Sequence, residues 1–194
     1  MSRKFQCRAI PSTWLENNGR RLDCGPYMSG AVEAKELLKR LNTEKLSRVT
    51  EDIYHAGRES RIWVDSEEHG VPFMGSTDIL ASDLSYLPLI SKKQVTSNPR
   101  FTIREGWTLI TRSGTVGRMA YARSDMDGIA CSEDVMRVAP DTTKITPGYL
   151  YAYLSSRFGV QIVVSGTYGA IIQHIEPHHI ADLPVPRLGA VEDQ

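Results

Sequence analysis

Residues 106–140 read GWTLITRSGTVGRMAYARSDMDGIACSEDVMRVAP. Four apolar runs in this stretch, GWTLITR, VGRMAYA, GIACS and DVMRVAP, are each bounded by Gly, Ser or Asp, the pattern of short strands separated by turns. Their connections are too short for crossover helices, so the spacing predicts antiparallel pairing. Between the first two runs lies LITRSGTVGR, Leu109–Arg118, an apolar run that opens into a Ser-Gly-Thr loop bracketed by two arginines. A loop of this kind turns backbone N–H groups toward an anion. No Gly-Lys-Ser/Thr ending follows it, and the MAYAR run after Arg118 has no helical stripe. That disfavours a nucleotide-binding phosphate loop and directs attention to another anion.

Helical patterns flank these strands. Val32, Ala34, Leu37, Leu38 and Leu41 recur at helical spacing among charged residues, with Ser29 placed as a cap. In ITPGYLYAYLSSRFG, Thr146 and Pro147 fit N-cap and first-turn positions, Leu150, Leu154 and Phe158 share a face, and Gly159 is the expected stop. The N-terminal stretch, punctuated by Pro11, Ser12 and Asn17-Asn18-Gly19, reads as strand or extended chain with turns. RIWV and VPFM, either side of the charged turn DSEEHG, read as strands, and QIVVSGTYGAIIQHI reads as two apolar runs about a second Ser-Gly-Thr loop. Pro184 and Pro186 are expected to end regular structure. Runs of adjacent strands interspersed with helices predict the α+β class: one domain with a twisted, mainly antiparallel sheet and flanking helices.

The whole chain sets bounds on this reading. Its 194 residues suffice for one substantial core, and 41% hydrophobic with 24% charged residues is an ordinary soluble composition. No apolar run reaches the length of a membrane span, and MSRKFQCRAI lacks the apolar centre of a signal peptide, so a cytoplasmic location is expected. Cys7, Cys24 and Cys131 form no CxxC pair and are expected to be reduced packing residues. Net charge is zero, yet residues 92–123 hold 7 Lys/Arg against 1 Asp/Glu. This basic segment is a candidate footprint for a polyanion, centred on the Leu109–Arg118 loop.

Catalytic constellations are weak. His174 and His178 are four apart, but Pro177 breaks the helix that would display both, and His55 and His69 have no ligand-like spacing. Asp23, Glu33 and Lys35 loosely mimic a metal-dependent nuclease, though Glu33 and Lys35 also fit the polar face of a helix. No GxSxG elbow and no methyltransferase-type motif is present. Binding remains. The loops Ser113–Gly117 and Ser165–Gly169 offer N–H groups and hydroxyls to phosphate oxygens, with Arg112 and Arg118 adding charge. Alternatively they are hairpin turns in which Gly supplies positive φ alone. Tyr168 and Gln173 are placed either to reach base edges or to cap the sheet.

Taken in order, GVPFMGSTDI, LITRSGTVGR, SEDVMRVAP, ITPGYLYAYLSSRFG and GAIIQHIEPHHIADLPVP resemble the target recognition domain of a type I restriction-modification specificity subunit. RRLDCGPYMS and GRESRIWV resemble the opening of such domains, so the likeness runs from about Arg20 to Pro186. It implies a recognition domain over residues 1–186 and, in RLGAVEDQ, residues 187–194, the start of a spacer helix. In that family two recognition domains, joined by long helices, each read half of a split target while other subunits methylate and cut. The resemblance therefore implies a non-catalytic reader of double-stranded DNA that needs no cofactor or metal. Its implied partners are a methyltransferase subunit and a restriction/translocase subunit, with a second recognition domain as a further candidate. Arg112, Ser113, Thr115 and Arg118 are assigned to phosphate or groove contact, with Lys92, Lys93 and Arg100 as supporting charge. Tyr149, Tyr151, Tyr153, Trp63 and Trp107 are read as packing residues, because duplex DNA offers no free base faces. Alternatives are the same module in a type IIB or fused type IIG enzyme, a nuclease using Asp23 and Glu33, and a binding module that does not read DNA.

Overall fold

The strand Val135–Pro140 is buried along its whole length, because both faces of its sheet are covered. The computed structural model describes residues 7–17, 20, 22–166, 174–189 and 192. Helices are α1 (Ser12–Asn17), α2 (Gly25–Met28), α3 (Ala31–Leu38), α4 (Lys92–Ser97), α5 (Pro147–Ser155), α6 (Arg157–Ser165) and α7 (Pro177–Ile180). Strands are β1 (Thr43–Lys45), β2 (Thr50–Tyr54), β3 (Trp63–Val64), β4 (Gly70–Met74), β5 (Leu89–Ser91), β6 (Thr108–Thr111), β7 (Met119–Tyr121), β8 (Ala130–Cys131), β9 (Val135–Pro140) and β10 (Pro184–Pro186). The class is α+β, as the sequence predicts.

Strand order in the first sheet is β2-β9-β6-β7, antiparallel throughout. Ile110 stands beside Met136 and Met119, and Leu109 beside Arg137 and Ala120. Because paired residues share a face, the first set enters a core with α3, α5 and α6, including Ala34, Leu150, Leu154, Ile162 and Val163. Leu109, Ala120 and Val135 enter a second core with Met74, Ile79, Ile103 and Met126. Each fully buried Leu, Ile, Val or Met among them contributes about 1.5–3 kcal/mol of transfer free energy.

One expected strand goes elsewhere. GIACS does not extend the meander: β8 leaves the first sheet and pairs parallel with β4, Phe73 beside Ala130 and Met74 beside Cys131. The turn at Ser124–Met126 redirects the chain, and the long path from β4 to β8 permits a parallel pair where a short link does not. There are thus two four-stranded sheets, the second ordered β3-β5-β4-β8, and a two-stranded β1-β10 ribbon, where one sheet was expected.

Other corrections concern the helices. The N-terminal stretch holds the short helices α1 and α2 rather than extended chain. In α3 the buried residues are Ala31, Val32, Ala34 and Leu38, whereas Leu37 and Leu41 are each 49% exposed. Gly30, at φ +83°, is the N-cap, and Ser29 Oγ accepts a weak bond from Ala31 N at 3.4 Å. Gly159 does not stop the second helical run. The break falls at Ser156, whose Oγ caps α6 by accepting from Gly159 N at 3.2 Å. A Cβ on Gly159 would lie 2.4 Å from the carbonyl oxygens of Tyr153 and Leu154, so the glycine permits the two helices to meet.

The tyrosines of α5 pack as expected. Tyr149 Oη donates to Pro186 O at 2.7 Å, Tyr153 Oη donates to Pro184 O, and Tyr151 meets Tyr121 edge-on at 5.6 Å. Trp107 is half-buried against Tyr54 at 6.0 Å, and Trp63, half-exposed, meets Phe73 at 5.3 Å. Cys131 is a buried packing residue whose thiol is pushed up by burial, but Cys7 and Cys24 are exposed, contrary to expectation. Half of the expected spacer-helix start lies outside the described residues; within it, Arg187 pairs with the buried Glu192. No helix of the described residues is long and apolar enough to cross a membrane.

Candidate nucleic-acid interface

At the end of β6 the chain reverses through Arg112–Arg118 into β7. Thr111 closes the loop at its base: its N–H donates to Arg118 O at 2.9 Å, while its Oγ1 accepts from Arg118 N at 3.0 Å and donates to Thr115 O. Gly114 and Gly117 have φ of +69° and +86°, so the loop is a hairpin with two left-handed positions. Gly117 does more than bend the chain: a Cβ there would stand 2.5 Å from Val164 Cγ2 at the end of α6. The loop is thereby pressed against the segment that leads into the second Ser-Gly-Thr stretch. Ser113 also forms a β-bridge with His174, and Ile175 N donates to Arg112 O at 3.0 Å. Tyr168 and Gln173 lie outside the described residues.

Arg112, assigned to phosphate contact from the sequence, is turned inward. Its side chain is 6% exposed and pairs with the carboxylate of Glu176, while Nε donates to Ile175 O at 3.2 Å and Nη1 to Glu133 O at 3.3 Å. A guanidinium enclosed by three acceptors has no free edge for a phosphate. Ser113 is likewise engaged, its Oγ donating to Asp134 Oδ1. Thr115 is exposed on the loop and Arg118 is exposed at its base, where Arg118 makes no side-chain ion pair among the described residues.

Glu176 is the meeting point of several groups. As the N-cap of α7 it accepts from the backbone of that helix's first turn, and its own N–H donates to His179 Nδ1 at 2.9 Å. Its Oε2 stands 3.3 Å from His55 Nε2. Burial alone would raise the Glu176 pKa, but Arg112 and His55 outweigh it and hold the carboxyl below its ordinary value. Burial and the Arg112 charge push His55 down despite Glu176, which keeps the imidazole neutral at pH 7.

Beneath the loop lies the Ser132–Asp134 turn between β8 and β9. It supplies Glu133 O to Arg112, Asp134 Oδ1 to Ser113 and Glu133 Oε2 to Arg61 Nη2 at 2.7 Å. Arg137 braces this turn from the core. Fully buried, it donates to the carbonyls of Ser132 (2.8 Å), Val135 (2.6 Å), Phe101 (3.1 Å) and Cys131. A buried charge is costly unless its donors are satisfied; four carbonyl dipoles take up Nη1 and Nη2 without a carboxylate, while Nε has no hydrogen-bond partner among the described residues.

The supporting cations are spread along the neighbouring segment. Lys92 Nζ donates to the carbonyls of Glu67 and Glu68 at 2.8 Å each, which ties it to a turn. Lys93, next to it on α4, is exposed and makes no ion pair among the described residues. Arg100 lies over the Tyr54 ring at 4.2 Å with Asp52 at 3.5 Å. Residues 56–62 connect these to the loop: Asn98 Nδ2 donates to Ala56 O, Gln94 Nε2 to Ser60 O, and Arg61 pairs with Glu133. Arg58, exposed on that segment, joins the candidate surface though it was not singled out in the sequence. Glu176 was also missed, although a residue directly before Pro at a helix start is a recognisable N-cap position.

The nuclease pattern is not assembled as such: Glu33 pairs with Arg8, whose Nη1 also donates to Tyr27 O at 2.9 Å. Among the described residues no group of three or more His, Cys, Asp or Glu is arranged to hold a metal ion.

The sequence matches no protein-family model and no curated protein. Solved structures do match. The HsdS subunit from Thermoanaerobacter tengcongensis superposes with a TM-score of 0.53 at 15% identity, over 91% of this chain and 44% of that one. A chain from a structure of the type I R-M system, solved for its complex assembly and conformational transition, gives 0.53 at 17% identity over 91% and 45%. The type IIG restriction endonuclease BpuSI gives 0.60 at 14% identity over 96% and 29%. The chain spans less than half the length of each of these. Its fold is one found in a type I specificity subunit and a type IIG enzyme, which meets the resemblance read from the sequence.

Proposed function

We propose that this chain is a DNA target recognition domain that reads one half of a bipartite duplex target for a restriction-modification complex, with no catalysis of its own. The observation that carries this reading is an exposed hairpin with Thr115 on its loop and Arg118 at its base, held on a buried polar brace, in a fold shared with an HsdS subunit. Phosphate contacts position such a protein on the duplex, and base contacts specify the sequence. Zero net charge fits the role, since the positive charge concentrated in residues 92–123 is what displaces counterions, and nonspecific affinity is then modest. Methylation and cleavage come from partner methyltransferase and restriction/translocase subunits, a second recognition domain supplies the other half-site, and the complex works in the cytoplasm.

A type IIG setting, in which the same module belongs to a fused enzyme, is the second reading, favoured by the likeness to BpuSI over 96% of the chain. Both readings make the same demand on this domain. The chain, with and without a cognate methyltransferase subunit, is incubated with a randomised duplex pool at low salt, and the retained DNA is sequenced. Enrichment of a short motif is expected. Retention without enrichment reduces the role to backbone binding, and no retention in either condition overturns the reading.

A further inference from the structure

We propose that Arg112 and Glu176 are positioning residues: their pair is a latch that fixes the Ser113–Gly117 loop against the His174–Glu176 segment, and it governs which bases are accepted rather than how tightly DNA is held. This rests on the DNA-reading function proposed above. It assigns to the most prominent arginine of the loop a task other than the phosphate contact its sequence position suggests.

Three independent features place the latch. First, Arg112 is held at three points belonging to two separate parts of the chain, the Glu133 carbonyl and the Ile175–Glu176 segment. A planar guanidinium fixed in this way has one orientation, whereas a lysine reaches one or two of the same acceptors as a point charge. Second, the backbone repeats the connection: Arg112 N donates to Asp134 O at 2.8 Å, and Ile175 N to Arg112 O at 3.0 Å. Third, the exposed residues Thr115 and Arg118 begin within a few positions of this anchor, so a shift at Arg112 is transmitted to the loop tip. Recognition of base edges tolerates little displacement, whereas attraction to phosphate tolerates much, so loosening the latch costs discrimination before it costs affinity.

The test separates a positioning arginine from a phosphate-contacting one. Full-length wild type, R112K, R112A and E176Q are compared for the motif each selects from a randomised duplex pool and for the salt dependence of binding to a single duplex. Circular dichroism melting checks the fold, and amide exchange at residues 113–117 reports loop order. The latch predicts faster amide exchange in all three variants, unchanged salt slopes, and loss of discrimination on the order of tenfold at one or more positions, with R112K failing much as R112A does. A phosphate contact predicts the reverse: R112K keeps binding and selectivity, R112A lowers the salt slope by about one, and E176Q binds more tightly because a nearby negative charge is gone. Unchanged selectivity and exchange in R112K and E176Q overturn the latch while leaving the DNA-reading proposal standing. Failure of the wild-type chain to enrich any motif overturns both.

Discussion

Arg112 and Glu176, 64 positions apart in sequence, form an ion pair in which the arginine side chain is 6% exposed and the carboxylate 24%. Removing either partner leaves the other desolvated without its counter-charge, which is more damaging than losing a surface pair. Arg112→Ala is expected to lower unfolding free energy by about 3 kcal/mol, and Glu176→Ala by somewhat less because of its greater exposure. Urea unfolding curves check both values; a loss under about 0.5 kcal/mol for Arg112→Ala would show the pair to be dispensable.

The same cluster sets a pH dependence. His55 has a folded-state pKa below its ordinary 6.5, so the unfolded chain binds its proton more readily, and stability falls as pH drops through 6.5 toward the lower folded value. Glu176 is likewise depressed below its ordinary 4.5, and its contribution, complete above that pH, is lost as pH falls through the folded pKa. Melting temperature should therefore decline in two stages on acidification, and His55→Gln should abolish the first. An unaltered profile between pH 7 and 5 in His55→Gln would refute this assignment.

Arg118 and Lys92 carry the same charge in different settings, and they should behave differently toward DNA. Arg118→Ala is expected to weaken duplex binding uniformly across sequences and reduce the salt slope by about one. Lys92→Ala, which removes a tie to the Glu67 and Glu68 carbonyls, should loosen that turn and change the slope little. Fluorescence anisotropy titrations at several salt concentrations make the comparison, and equal slopes for the two variants would contradict it.

Gly159 is a steric requirement rather than a helix signal. Gly159→Ala improves intrinsic helix propensity by about 1 kcal/mol, yet the new Cβ would stand 2.4 Å from two backbone oxygens that belong to the end of α5. The expected result is net destabilisation of about 2 kcal/mol or more, since backbone cannot yield as a side chain can. A thermal melt equal to or above wild type would show that the helices part without cost.

Thiol chemistry tests the burial of the N-terminal region. Cys7 and Cys24 should react with a maleimide in the native protein, and Cys131 only after denaturation. Intact-mass counting of adducts reports this directly, and three adducts under native conditions would mean that the β4–β8 pairing opens readily.

How far the sequence carried depended on whether the signal was local. Strands β6, β7 and β9 are readable because their apolar runs and the turn residues that bound them are local. The two residues of β8 read as part of the meander because so short a run has no pairing preference of its own; β4, remote in sequence, provides its partner. Gly159 reads as a stop because a glycine that ends a helix and one that admits a neighbouring helix have the same local context. Arg112 and Arg118 look alike in the sequence, and only the folded chain distinguishes the enclosed side chain from the exposed one. Glu176, which makes that distinction, is 64 residues from Arg112 and invisible to any local window.

Arg137 grips only main-chain oxygen atoms, at residues 101, 131, 132 and 135. Every amino acid presents the same carbonyl, so this attachment makes no demand on the identity of the side chains around it. Divergence in the Ser132–Asp134 turn and in the hairpin above it therefore need not disturb the foundation on which they stand. A domain built in this way separates what must persist from what is free to drift, and under the proposed DNA-reading function new target preferences become reachable by substitutions that never touch the core.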